Sequence, residues 1–161
     1  MTWPAPSAAN DWLAAHTERL RHSFRRWTGR DLVDPALEPV AAARWLYQAP
    51  FALVSHDDQA DPCFNYANLT AQRLFERSWE VFVGLPSRLS AEAPLREERQ
   101  RLLDQVARHG YIDDYRGVRI SRSGRRFRIE RATVWNVTAA DGRLIGQAAC
   151  FSRWHWLYAP G

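Results

Sequence analysis

Apolar and polar residues alternate most regularly between Tyr115 and Trp154, where YRGVRISRSG, RRFRIERATVWNV and DGRLIGQAACFSRW follow one another. Each run reads as a strand. Ser123-Gly124 and Asp141-Gly142 fall between the runs and supply the positive φ of a tight reversal. The pattern predicts a three-stranded antiparallel meander. Such a sheet has a face to bury, so the earlier chain must cover it, and the fold class is α+β.

Upstream, apolar residues recur at helical spacing. Trp12, Leu13, Leu20, Phe24 and Trp27 share one face after Asn10, a residue suited to an N-cap, and Gly29 marks the stop. Glu18, Arg19, Arg21, Arg25 and Arg26 occupy the opposite face. A second helix runs from Asp34-Pro35 toward Gln48, with Pro39 in a first turn. PFALVSH and CFNYAN read as short strands separated by the polar loop DDQADP. Asn68 caps a short helix over LTAQRLFE, and SWEVFVGLP adds a further turn. The longest helix follows, with Leu95, Leu102, Leu103 and Val106 on one face and Gly110 at its end; strands resume at Tyr111. The order gives five antiparallel strands with helices inserted between the second and the third. It divides the chain into a disordered lead (1–9), N-terminal helices (10–48), a main domain (49–156) and a tail (157–161). Trp154, His155, Trp156, Leu157 and Tyr158 carry too much apolar area to hang free, and are expected to pack on the N-terminal helices or on a second subunit.

A length of 161 residues with 46% hydrophobic content supports one domain with a core of its own. No apolar run approaches 18 residues, and Trp3, Pro4 and Pro6 stand where a signal peptide would need a basic start and an apolar centre, so a cytoplasmic protein away from membranes is expected. Cys63 and Cys150 fit neither a disulfide framework nor a zinc quartet and read as small apolar residues. All 22 basic residues are arginine, which removes Schiff-base lysines and phosphate-loop lysines from consideration. The net charge of +4 leaves an anionic partner open.

The stretches NYAN with Asn68, VGLP, SRSGRRFRIE and AADGRLIGQ resemble the PAS fold. FNYAN, LPSRLSAE, GYIDDYRGVRISRSGRRFRIERATVW and GQAA are similar, in the same order, to the bacterial stand-alone proteins of the MEKHLA family. The resemblance covers residues 40 to 154. It implies a PAS-like five-stranded antiparallel sheet with helices on one face, preceded by an N-terminal helical extension. It further implies a sensory or ligand-binding module. In plants a similar domain ends the class III homeodomain leucine-zipper transcription factors, where it is a candidate sensor. The resemblance names no ligand, so the cofactor is unknown. A homodimer or a partner protein, reached through the N-terminal helix, is the expected route of signalling.

A PAS pocket lies between the sheet and the helices that follow its second strand, so inward polar residues are the candidates there. Strict alternation along RFRIERATVWNV puts Phe127, Ile129, Arg131, Thr133 and Trp135 on one face. Arg131 is the odd member: buried, it needs Asp57, Asp114 or an anionic ligand as partner; a β-bulge would instead turn it to solvent. Gln147 can both donate and accept, as suits a ring edge, and resembles the glutamine that light-sensing LOV domains set against flavin. The LOV cysteine motif NCRFLQ is missing, and SRLSAE stands in its place, so no flavin-cysteinyl photocycle is expected. His56 before Asp57 and Asp58 could serve as a base, a metal corner or a hydrogen-bonding strand end. Asn65 and Tyr66 are candidate pocket residues or turn structure, and Arg88 is an anion contact or half of a surface ion pair. Two other classes compete. Arg116, Arg119, Arg122, Arg125, Arg126, Arg128 and Arg131 would make a basic sheet for nucleic acid, disfavoured because no helix-turn-helix, zinc or RNP pattern accompanies them. A small enzyme would pair His56 with Asp113 or Asp114, but no nucleophile motif accompanies that dyad.

Overall fold

Asn68 shows how the first half of the sheet is held. In the computed structural model, which describes residues 3–157 apart from the side chains of Ala93 and Pro94, Asn68 is wholly buried. Its Oδ1 accepts from the backbone N–H groups of Leu53 (3.0 Å) and Ala71 (3.1 Å). Its Nδ2 donates to the carbonyls of Leu46 (3.0 Å) and Phe51 (2.8 Å). The side chain thus uses its full bonding capacity, as a buried amide must. It fastens α2 (Pro39–Tyr47), β1 (Ala52–Asp57) and α3 (Leu69–Phe75) at the turn leaving β2 (Phe64–Ala67).

After α4 (Trp79–Phe82) and the long α5 (Ala93–His109) come β3 (Tyr111–Ile120), β4 (Arg126–Thr138), β5 (Leu144–Phe151) and β6 (Arg153–Leu157). The antiparallel sheet runs β2-β1-β5-β4-β3, with β6 also paired to β4. Gly124 and Gly142, at φ +91° and +85°, make the two reversals expected for the meander. Helices α3 and α5 pack on one face, and α4 gives Phe82 to that side and Trp79 to the other. The other face is covered by the N-terminal helix α1 (Ala14–Thr28), whose Leu20 and Phe24 join a buried cluster with Leu53, Trp135 and Val137.

Strand β4 records this difference residue by residue. From Phe127 to Glu130 buried and open positions alternate, as for a strand with one covered face. From Ala132 to Val137 every residue is buried, as for a strand covered on both faces. The change falls at Arg131, which is exposed and has φ +52°. This irregularity shifts the alternation by one residue, so Ala132 and Val134, not Thr133 and Trp135, continue the face of Phe127 and Ile129.

The two ends depart from the sequence reading. Asn10 does not cap α1. It closes a capping box with Ser7, accepting from the Ser7 N–H at 2.9 Å, inside a short 3-10 turn over Ala8–Leu13. Asp11, Trp12 and Leu13 then take left-handed φ values, and α1 begins only at Ala14. The expected disordered lead is placed from Trp3 onward: the Trp3 carbonyl accepts from the Trp79 indole (2.7 Å), and the Trp3 indole donates to the Asn65 carbonyl (3.2 Å). At the other end, the tail forms a sixth strand instead of packing on the N-terminal helices. Thr133 faces Cys150 and Glu130 faces Arg153, so β6 keeps the register of β5 across the break at Ser152. The physical reason is the first half of β4, which would otherwise lack a partner on that side. Trp156 packs on buried Phe127 (5.4 Å between ring centroids, edge-on), and Arg125 lies over its face. Tyr158 lies outside the described residues.

Replacing Trp156 by Ala should therefore cost on the order of 2 kcal/mol, as for a partly buried aromatic. Urea unfolding checks this; an unchanged midpoint would show that β6 contributes nothing to the sheet.

Candidate ligand-binding cavity

Between α5 and the face of β1, β4 and β5 lies a cavity of about 60 Å³. Its walls are apolar: Val54, Phe75, Leu102, Ile129, Val134 and Phe151. Polar residues interrupt them, chiefly His56, Arg99, Tyr115, Arg119 and Gln147, with Ser90 beside them. The space holds roughly five water-sized groups. Its smallness comes from Leu102, Leu103 and Val106, which press α5 onto the sheet.

Each polar group is held differently. His56 is 8% exposed, and its Nδ1 donates to the Asp57 carbonyl at 2.8 Å. That bond fixes the neutral tautomer with Nε2 as an acceptor, and Nε2 is buried without a hydrogen-bond partner. The backbones of β1 and β5 approach closely here: a Cβ on Gly146 of β5 would run into the His56 carbonyl oxygen. Gln147 is 6% exposed and donates to the Leu103 carbonyl of α5 (3.0 Å) and to Asn136 Oδ1 of β4 (3.2 Å). Asn136 donates in turn to the Ala107 carbonyl (3.3 Å), while its own carbonyl accepts from the indole of Trp27 on α1 (3.0 Å). Gln147 and Asn136 therefore bridge the cavity side of the sheet to the N-terminal helix on the other side.

Arg99 is 6% exposed and projects from α5. Its guanidinium donates to Ser87 Oγ at 2.8 Å, and among the described residues no carboxylate lies within ion-pair distance of it. Burial, aided by the charge of Arg119, holds its pKa down to about 9. Arg119 donates to the Val118 carbonyl (2.9 Å) and to the Tyr115 hydroxyl (3.2 Å), with its guanidinium over the Tyr115 ring. Arg99, Tyr115 and Arg119 also line a groove between α5 and β3, together with Arg116 and Arg128. Sequence reading missed Arg99, although a signal was present: it interrupts the apolar stripe of Leu95, Leu102, Leu103 and Val106.

Of the seven residues predicted for the site, His56 and Gln147 line this cavity. Trp135 does not. It lies on the opposite face, edge-on to Phe24 (5.0 Å), with its indole donating to Ser23 Oγ (3.1 Å). Arg131 is turned to solvent by the β4 irregularity and pairs with neither Asp57 nor Asp114. Tyr66 is buried against His16 and Trp79, away from the cavity, and its hydroxyl lacks a partner. Asn65 Oδ1 accepts from Ser55 Oγ (2.5 Å). Arg88 forms a surface ion pair with Asp61 (3.2 Å). The suggested dyad with Asp113 or Asp114 is not assembled: His56 Nδ1 is on the Asp57 carbonyl, Nε2 has no partner, and Asp113 is engaged by Arg30 (2.8 Å) and Thr133 (2.7 Å). Of the basic meander residues, Arg126 faces Glu92, Arg128 faces Glu130 and Arg125 covers Trp156. Among the described residues, no group of three or more His, Cys, Asp or Glu side chains is placed to hold a metal ion, and no helix is long and apolar enough to cross a membrane.

The MEKHLA domain family profile matches residues 14–156. The chain belongs to the MEKHLA domain family. No curated protein matches it. Solved structures establish that this MEKHLA domain has the PAS fold. A PAS domain from Colwellia psychrerythraea aligns with a TM-score of 0.59 at 16% identity, covering 67% of this chain and 89% of that one. An RNA-binding Light-Oxygen-Voltage receptor aligns at 0.61 and 21% identity, covering 74% of this chain and 34% of the receptor. A cysteine-to-serine mutant of Vivid aligns at 0.53 and 16% identity, covering 81% and 95%.

Two histidines of the MEKHLA domain are kept neutral by burial. His16 of α1 meets Ser55 Oγ at 2.9 Å, and desolvation, with Arg19 adding to it, holds its pKa down to about 4; His56 is lowered for the same first reason. Both native values lie below the ordinary 6.5, so between pH 6.5 and 4 the unfolded chain binds protons that the native chain does not. Stability should thus fall as pH drops through that window, by on the order of 3 kcal/mol for His16. His16→Gln should flatten the fall in urea midpoint between pH 7 and pH 4.5; an equal fall in the variant would exclude His16 as a cause.

Proposed function

We propose that this MEKHLA domain is a small-ligand sensing module that reports through protein contacts. The observation that carries the reading is the cavity under α5, lined by His56 and Gln147, with the His56 Nε2 an unpaired acceptor buried at its wall. A buried acceptor without a partner is costly, and a ligand donor would satisfy it. The occupant would sit beside Gln147, whose amide joins α5 to β4, and Asn136 continues that link to Trp27. Occupancy that displaces α5 therefore has a route to α1.

The exposed side of α1, with Arg19, Arg25 and Arg26, is the surface we assign to a partner protein or a second copy. Membership of a PAS-fold family supports a sensory role, and no particular cofactor is implied by it.

Native mass spectrometry of freshly purified protein tests the reading. Excess mass from a small organic molecule is expected, and Ala149→Met, which fills the cavity, should lose it. Bare protein in both samples, together with no melting shift from any member of a metabolite library, would overturn the proposal.

A further inference from the structure

The two ends of the cavity differ in charge, and this bears on what it binds. One end is formed by Arg99, Tyr115 and Arg119, which also line a groove where Arg116 and Arg128 outnumber the single acid Glu98. The other, beyond His56 and Gln147, continues into a groove lined by Asp57, Asp58 and Asp104. A single negative charge is favoured at the first end and repelled at the second. The middle is apolar.

The Arg99 guanidinium is the decisive group. Burying a cation without a counter-charge is unfavourable, and a desolvated arginine fork is suited to a carboxylate. Ser87 Oγ accepts one of its hydrogen bonds and leaves the charge uncompensated. His56 lines the same cavity, and its buried Nε2 accepts and does not donate, so an O–H or N–H on the ligand would satisfy it. The volume admits roughly five water-sized groups, too few for a flavin or a haem.

We infer that the cavity binds a short monocarboxylic acid bearing a hydrogen-bond donor, of the 2-hydroxy acid type, with its carboxylate on Arg99, its hydroxyl toward His56 and its carbon chain against Leu102 and Ile129. Arg119, which contacts the Tyr115 hydroxyl beside Arg99, closes the carboxylate end. This inference rests on the sensing role proposed above.

Calorimetric titration with L-lactate and with lactamide, its neutral isostere, provides the test. Lactate should bind at least tenfold more tightly than lactamide, and Arg99→Met should abolish lactate binding. The same variant removes an uncompensated buried charge, so its ligand-free melting temperature should rise by about 2–4 °C. Equal binding of lactate and lactamide would overturn the carboxylate assignment and leave ligand sensing intact. Binding of neither would overturn it as well. In that case a retained neutral molecule in native mass spectrometry preserves the sensing role, and a bare mass removes both. A melting temperature lowered by Arg99→Met, with lactate binding retained, would make Arg99 a structural residue only.

Discussion

The fold depends on one strand, β4, being covered on one face along its first half and on both along its second. A strand with one solvent face can alternate; a strand between two layers must be apolar or fully bonded throughout. RFRIER meets the first condition and ATVWNV the second. Arg131, in a left-handed conformation at their junction, lets one strand serve both environments. The irregularity keeps Ala132 and Val134 on the cavity side and gives Trp135 and Val137 to α1. Without that shift, Trp135 would fill the space where the cavity lies, and α1 would lose its main aromatic partner.

Two-sided coverage also puts a physical link between the two sides of the sheet. A sheet with one covered face can move a helix only on that face. Here the polar pair Gln147 and Asn136 crosses from α5 to the backbone that holds Trp27. Gly110, which ends α5, lies so close to the Trp27 ring that a Cβ there would stand 2.5 Å from it. The end of α5, the centre of β4 and the end of α1 therefore meet at one packed point. Any change in how α5 rests on the sheet is felt there, since close-packed contacts transmit displacement. The buried Arg99 and the unpaired His56 are the groups whose energies an occupant would change most.

Much of this was legible in the sequence, and the failures have physical causes. Asn68, Gly124, Gly142 and the long amphipathic helix were readable because local chemistry dictates them: a cap, two positive-φ turns, a helical stripe. His56 and Gln147 were reachable as polar residues on cavity-facing strands. Trp135 was misplaced because alternation was extended through a point where the strand changes environment, with the run of ATVWNV as the available clue; of the two readings of Arg131, the bulge that turns it to solvent is the one the strand adopts. Arg99 was hidden by its own residue type, since arginine on a helix is ordinarily solvated and only its place in the stripe marks it. The sixth strand was missed because Ser152 interrupts the apolar run, and the pairing that rescues it is a property of β4, not of the tail itself. Asn10 looked like a cap for α1, but Ser7 claims it for an earlier turn.

The most direct test of the central claim, that cavity occupancy reaches the N-terminal helix, is an NMR titration that follows the Trp27 indole N–H as L-lactate is added. The account predicts that this resonance shifts with the same midpoint as the Gln147 side-chain amide, because Asn136 links the two. Shifts confined to Gln147 and other cavity residues, with Trp27 unmoved at saturation, would contradict it.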